Sequence, residues 1–402
     1  MPTKTLFREP ITATLVELPS EAIPEWRKFS VSKPTLLLFS DDPMLQPIHP
    51  DFVQGINQLV ATGTVDQIRA AGPLRAATTF QPSQTLTAAL RNKLFEEIVW
   101  VSSRAQASGA LTPPGLLDSL FRLGAIDDYE RESFKQTEYG LAGTIYDTPF
   151  QIVYHDRLPP LSSPVLLHFD LSFFNTFYQN EIETPFFKTL KTLIQGIREK
   201  QYKAVDTTIS YSNLSRWVKL DKRFIGEVLF ELLTAPGILD QPMPVAWSKK
   251  SESLYLSVFF QNEQRAAIYR PLIEENPEQD ADIYWELYAS TIKFAPFEEA
   301  IGYLEQAVER DSTYGLAYTD LANKAWQRGM SEMAARMWQQ AAAAFPENPY
   351  IELQRIKAES DAGSDQTELR LALQRLRQLP WSDFYSGEVK DEIDAMLTAM
   401  KP

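Results

Sequence analysis

Aspartate, histidine and serine recur in this sequence at the ends of short apolar runs. Carboxylates and imidazoles gathered there can bind a cation, activate water or hold a small polar ligand. The first run ends in Ser40-Asp41-Asp42 and is followed by His49-Pro-Asp51; a later one contains His168-Phe-Asp170-Leu-Ser172; a third ends in Ser210-Tyr-Ser212-Asn213. Alternate residues of a strand share a face, so His168 and Asp170 form a candidate pair of ligands for one divalent metal, Mn or Zn. Asp41, Asp42, Ser212 and Asn213 are candidate ligand-binding residues, as are Asn180 and Glu181, which with Glu183 precede Thr184-Pro185. Each also has a structural use. His168 can be a hydrogen-bonded core histidine, Asp170, Asp41 and Asp42 can cap turns, the acids before Thr184 can favour a helix dipole, and Ser212 and Asn213 can close a strand. No glycine-rich phosphate loop and no Gly-x-Ser-x-Gly elbow occurs, and the spacing of the three histidines recommends no Ser-His-Asp triad.

These residues need a scaffold, and the chain supplies an α/β rhythm. Apolar runs at Thr35–Ser40, Glu97–Ser102, Phe150–His155, Pro164–Asp170 and Lys203–Tyr211 read as strands. Helical spacing is read at Phe52–Thr62, Gln84–Glu96, Leu116–Leu123, Asp127–Lys135, Thr184–Lys200 and Phe224–Leu233. Residues 1–33, with their prolines, read as an extended lead-in, and Leu254–Phe260 as a last strand. Alternation over this length predicts a mostly parallel sheet sandwiched by helices, with ligands collecting beyond the carboxyl ends of the strands. We place this α/β domain at 1–262 and an all-α domain at 263–402.

In the second domain, Tyr284, Leu287, Ala300, Leu304 and Ala307 fall 34 residues before Tyr318, Leu321, Ala334, Trp338 and Ala341, each pair keeping its size class. Gly329 and Pro346 in the second unit are followed, at the same period, by Gly363 and Pro380, marking a degenerate third unit. The spacing resembles the tetratricopeptide repeat over roughly 281–382. That resemblance implies stacked helix pairs with an interaction surface for a protein or peptide. Asn323, Lys324, Gln327 and Arg328, on the first helix of the second unit, are the candidate peptide-binding residues; a solvated helix face has the same composition.

The segment Val165–Phe174, with Tyr178, Asn180-Glu181 and Thr184-Pro185 behind it, resembles the metal-bearing strand and loop of the arginase and deacetylase superfamily. The resemblance implies that Asp170 matches the first acid of an Asp-x-Asp pair, with Ser172 in place of the second. The family's Asp-x-His-x-Asp signature is absent, and Asp41-Asp42 and His49-x-Asp51 are fragments of that chemistry. Two readings follow. One is a protein-interaction or scaffold protein, with no cofactor, whose arginase-like domain is non-catalytic; the other is a metal-dependent hydrolase acting on C–N bonds at the carboxyl edge of the sheet. A small-ligand pocket at the same edge is a third.

Bulk composition narrows the partners. Lys plus Arg total 39 against 53 Asp plus Glu, a formal charge of -14 that disfavours nucleic acid and anionic lipid. No apolar stretch approaches membrane-spanning length and the N-terminus lacks a signal-peptide layout, so the expectation is a cytoplasmic protein, with export after trimming as the alternative. With Cys 0, disulfides, thiol nucleophiles and thiolate metal sites are excluded.

Overall fold

A computed structural model describes residues 7, 11–103, 112–385 and 387–400. The chain divides into two compact units, one formed by Met1–Ile68 with Pro82–Ile268 and the other by Arg69–Gln81 with Tyr269–Pro402. Its elements run β1 (Ala13–Val16), α1 (Ile23–Arg27), β2 (Thr35–Phe39), α2 (Val53–Thr62), α3 (Val65–Ala70), α4 (Thr85–Arg91), β3 (Glu97–Ser102), α5 (Pro113–Arg122), α6 (Asp128–Ser133), β4 (Lys135–Gln136), β5 (Gly140–Ile145) and β6 (Thr148–Tyr154). There follow β7 (Val165–Asp170), α7 (Phe173–Phe177), α8 (Phe186–Lys200), β8 (Ala204–Ser210), α9 (Phe224–Thr234), α10 (Val245–Val258) and α11 (Asn262–Glu275).

The first unit is built on an eight-stranded sheet of order β1-β8-β7-β2-β3-β6-β5-β4 among the described residues. The six strands from β1 to β6 in that order pair in parallel, and β5 and β4 continue the edge antiparallel. Every residue of β2 and β7 is buried, as near-continuous apolar runs covered on both faces require. On one face Leu37, Phe39, Leu167 and Phe169 pack with the apolar stripes of α8 and α9, and register brings Phe39 opposite Phe169 with their rings stacked at 4.4 Å. The other face holds His168 edge-on to Trp26 of α1.

Three departures from the sequence reading have local causes. The lead-in contains β1 and α1: β1 pairs with β8, which satisfies its backbone without a long apolar run. The β5–β6 hairpin turns on Tyr146 and Asp147, both with positive φ, so the two-residue turn lacks the Asn or Gly that usually announces it. Leu254–Phe260 is not a strand; its start is the last turn of α10. Trp247, Leu254 and Val258 recur at helical spacing, and Trp247 stacks on Phe187 at 5.2 Å. No helix of the described residues is long and apolar enough to cross a membrane.

The second unit contains the helix pairs α12 (Ala281–Thr291) with α13 (Phe297–Arg310), α14 (Leu316–Gln327) with α15 (Ser331–Ala344), and α16 (Pro349–Asp361) with α17 (Gln366–Arg377), then α18 (Glu388–Ala399). Of the ten residues that recur at the 34-residue period, all but the half-buried Leu321 are buried. Gly329 and Gly363 end the first helix of the second and third pairs at φ 71 and φ 80. In each, the next residue's N–H reaches back five residues, Met330 to the Ala325 carbonyl and Ser364 to that of Glu359. This is a Schellman-type stop that places a glycine in the left-handed region. The third pair is complete, with Leu353, Ile356, Leu369, Leu373 and Ile393 in one core.

Candidate functional site

Strand β2 connects onward to its neighbour β3 on one side, whereas β7 connects to β8 on the other. The carboxyl ends of β2 and β7 therefore bracket the point where the winding reverses, the place where open parallel sheets commonly bind ligands. Ser40, Asp41 and Asp42 leave β2 at this point, while Asp170 ends β7 and is followed by Ser172 and the short helix α7. Ser102 and Ser103 leave β3, and Ser210, Ser212 and Asn213 leave β8.

His168 and Asp170 belong to one directed hydrogen-bond chain. Trp26 Nε1 donates to Thr208 Oγ1 at 2.9 Å, so the single Thr208 hydrogen is left for His168 Nδ1 at 2.8 Å. His168 then carries its proton on Nε2, facing Ser210 Oγ at 3.2 Å, and Ser210 donates to Asp170 Oδ2 at 2.6 Å. The Ser172 backbone N–H donates to Asp170 Oδ1 at 2.9 Å, and Ser212, held at φ 56, turns its hydroxyl onto Oδ2. Burial depresses the His168 pKa to about 3 and raises that of Asp170, against the pull of the serine donors.

Both ring nitrogens of His168 and both oxygens of Asp170 are thus committed to neutral partners. His49 and Asp51, the other candidates for that chemistry, form an exposed pair of their own at 3.6 Å. Among the described residues no group of three or more histidine or carboxylate side chains could hold a metal ion. His168 and Asp170, the candidate metal pair, lie within this hydroxyl network.

Asp41 stands differently. Its Oδ1 accepts from Thr176 Oγ1 at 2.7 Å, and Thr176 in turn pairs with the Ser103 hydroxyl. Burial, helped by the negative field of Asp170, carries its pKa up to about 6 against the hydrogen bonds from Thr176 and Ser103 and the field of Lys222. Lys222 donates to the Phe174 carbonyl at 2.9 Å, and burial lowers its own pKa. Asp42 is a turn residue: its Oδ1 accepts from the Met44 N–H at 2.6 Å, and burial raises its pKa. Ser172 joins β7 to β2, bonding Ser40 Oγ at 3.2 Å and accepting from the Asp41 N–H at 3.3 Å.

The remaining candidates of this unit hold structure. Asn180 Oδ1 accepts from the N–H groups of Ile182 and Glu183 in an Asx turn. Glu181 is buried; it takes the Phe186 N–H at 3.0 Å at the start of α8 and the Ser251 hydroxyl at 2.6 Å. Asn213 donates to the Val218 and Lys219 carbonyls and accepts from Arg223, which grips Glu17 through both terminal guanidinium nitrogens. Gly226 of α9 lets the Tyr211 ring lie where a Cβ would stand 2.3 Å from it, fixing the exit of β8. Ser103, Thr176 and Lys222 went unread in the sequence. Ser103 alone had a signal, as the residue after a covered strand.

In the second unit Asn323, Lys324, Gln327 and Arg328 are all exposed on the last turn and a half of α14 and its end. Lys293, 34 residues before Gln327, is exposed as well. No family model matches the chain, and no curated protein matches it.

Proposed function

We propose that this protein is an interaction or scaffold protein whose helical unit, read as a tetratricopeptide-type repeat, docks a segment of a partner polypeptide. The supporting observation is the pairing of a 34-residue recurrence of buried residues with an unburied polar face on α14, where Asn323, Lys324, Gln327 and Arg328 make no side-chain hydrogen bond or ion pair among the described residues. Lys324 and Arg328 lie on one helix face (i, i+4), so the partner segment carries acidic side chains. The test is fluorescence anisotropy with a labelled panel of acidic peptides against the full chain and its Lys324→Glu/Arg328→Glu variant. Binding that falls at least tenfold in the variant supports the reading. A panel that fails to bind, or binds both chains alike, removes it.

A second reading belongs to the first unit and rests on Asp41. A carboxyl that takes up its proton near pH 6, beside the Thr176 and Ser103 hydroxyls at a winding reversal, suits a small neutral or cationic ligand bearing N–H groups, such as an acyl-amine. Thermal-shift screening against acyl-amines at pH 5 and pH 7.5 checks it; no ligand-dependent shift at either pH defeats it. An arginase-like ancestry for this unit fits the position of Asp170 and the Thr184-Pro185 loop. The hydroxyls around Asp170 and His168 favour a domain without the hydrolytic metal chemistry of that superfamily.

A further inference from the structure

The connection between α3 and α4 holds a loop that closes on itself. Residues Arg69–Gln81 belong to the second unit, although the chain on both sides of them belongs to the first. The N–H groups of Thr79 and Phe80 both donate to the Ala71 carbonyl at 3.0 Å, and Thr78 Oγ1 reaches the Gly72 and Arg75 carbonyls at 3.1 and 2.8 Å. Such an Ω-type loop keeps its shape through its own bonds.

Two carbonyls outside this internal bonding are taken by the segment after α17. Tyr385 Oη donates to the Pro73 carbonyl at 2.6 Å, and the Ser382 N–H donates to the Ala76 carbonyl at 2.8 Å. Ala76 adds a single methyl to the core of α16, α17 and α18, and Arg75 pairs with Glu347 just before α16. The helical unit thus recognises a definite pattern: a prolyl carbonyl, an arginine two residues on, and a small residue after it. The hold is light, because the ion pair faces solvent and the buried side chain is small.

The surface extends beyond what the loop uses. Tyr350 and Phe384 both meet the Tyr385 ring, with centroids 6.1 and 5.0 Å from it, yet they stay 42% and 46% exposed. Glu347 remains exposed in its ion pair, and Asp383 is exposed beside Phe384. Rings set among carboxylates suit arginine, whose planar guanidinium stacks on aromatic faces and pairs with carboxylates.

We propose that the Arg69–Gln81 loop is an autoinhibitory contact: it covers a docking surface made by Glu347, Tyr350, Phe384 and Tyr385, and the partner is a second polypeptide that displaces it with an arginine-bearing loop of the same pattern. Each contact is exchanged for its like, and the internal bonds of the released loop are kept. Tethering gives the covering loop an effective concentration on the order of 1 mM. A partner overcomes that advantage through further contacts with Tyr350 and Phe384. The partner here is basic, and the residues that take it are different from those of the α14 face.

The experiment is fluorescence anisotropy of the full-length protein with a labelled peptide copying residues 69–81, cyclised through its ends to keep the loop's shape. The covered wild type binds it weakly. Arg75→Glu sets the protein's own loop against Glu347 while leaving the surface unaltered, and should raise affinity at least fivefold; Ala76→Asp, which puts a charge into the contact, should raise it at least tenfold. Adding Glu347→Arg to Arg75→Glu restores the cover, repels the peptide's arginine and returns binding to the wild-type level or below. Circular dichroism and urea unfolding confirm that the variants are folded, and the partly exposed Arg75→Glu carries the test if Ala76→Asp unfolds the helices. The proposal is overturned if Arg75→Glu binds the peptide no more tightly than the wild type, or if a peptide with glutamate in place of the arginine corresponding to Arg75 binds that variant equally well.

Discussion

Replacing Asp41 by asparagine separates the charge of this residue from its hydrogen bonding, because asparagine keeps an Oδ1 to accept from Thr176. In the folded chain the Asp41 carboxyl is lifted from 3.8 to about 6. Two pKa units at 1.36 kcal/mol each amount to about 3 kcal/mol. The sign follows from proton binding. Between pH 4 and 6 the folded state keeps a proton that the unfolded state has released, so stability falls as pH rises through this window and the full penalty stands above it. The uncharged amide of the variant carries no such penalty. Wild type and Asp41→Asn should therefore match within about 0.5 kcal/mol at pH 4, and the variant should be more stable by about 2–3 kcal/mol at pH 7.5. Amide exchange in β2 and β7 reads the first unit alone; Asp42 and His168 titrate in both chains and cancel in the difference. A difference that stays flat from pH 4 to 7.5, or an asparagine variant less stable at pH 7.5, would refute the placement of Asp41 as a desolvated carboxyl.

Two further substitutions test the scaffold. Ser212→Ala removes one of the donors to the buried Asp170 and should cost about 0.5–3 kcal/mol, the range for hydrogen bonds to neutral and charged groups, read as a lower urea midpoint at pH 7; a cost below 0.5 kcal/mol would show that Ser212 is not needed there. Gly329→Ala, at φ 71, should destabilise the second unit by about 1–2 kcal/mol, whereas the same change at Gly196 should be neutral or stabilising, so a shared sign in thermal unfolding would contradict one of the two backbone assignments.

The sheet was legible where strands are covered on both faces. Thr35–Phe39 and Val165–Asp170 are unbroken apolar runs, and the structure buries every one of their residues. It was illegible where tertiary pairing rather than pattern makes the strand, as in Ala13–Val16 on β8, or where a turn uses unannounced residues, as at Tyr146-Asp147. Period two and period 3.6 coincide over a span as short as Leu254–Val258, which hid the last turn of α10. Among the candidate residues, position at a strand end correctly drew attention to Asp41 and Asp170. What distinguishes them is their neighbours: Asp170 meets serines from β8 and the loop after it, Asp41 meets a threonine from α7, and neither pairing follows from spacing along the chain. Glu181 and Asn213 illustrate the converse, since a loop acid and a loop amide were spent on the start of α8 and on the turn after β8.

The carboxylates at the carboxyl edge of the sheet are solvated by Ser103, Thr176, Ser210 and Ser212, all uncharged donors. Lys222 contributes only a field at Asp41 and is tied to the Phe174 carbonyl. Where these carboxyls are ionised, uncharged donors leave their negative field in place, and desolvation makes an added anion still less welcome. For the second reading proposed above, phosphorylated or carboxylated ligands are therefore poor candidates at this edge of the sheet, and N–H donors good ones. The exposed Lys293, Lys324 and Arg328 of the helical unit have the opposite preference, because solvent-facing cations at low local desolvation cost attract acidic segments and speed their encounter. For the docking proposed above, this local reversal of sign on a chain of formal charge -14 favours a partner that is acidic where it meets α14. Raising ionic strength should then weaken the proposed docking at α14 and leave the proposed ligand binding at the half-buried Asp41 little changed.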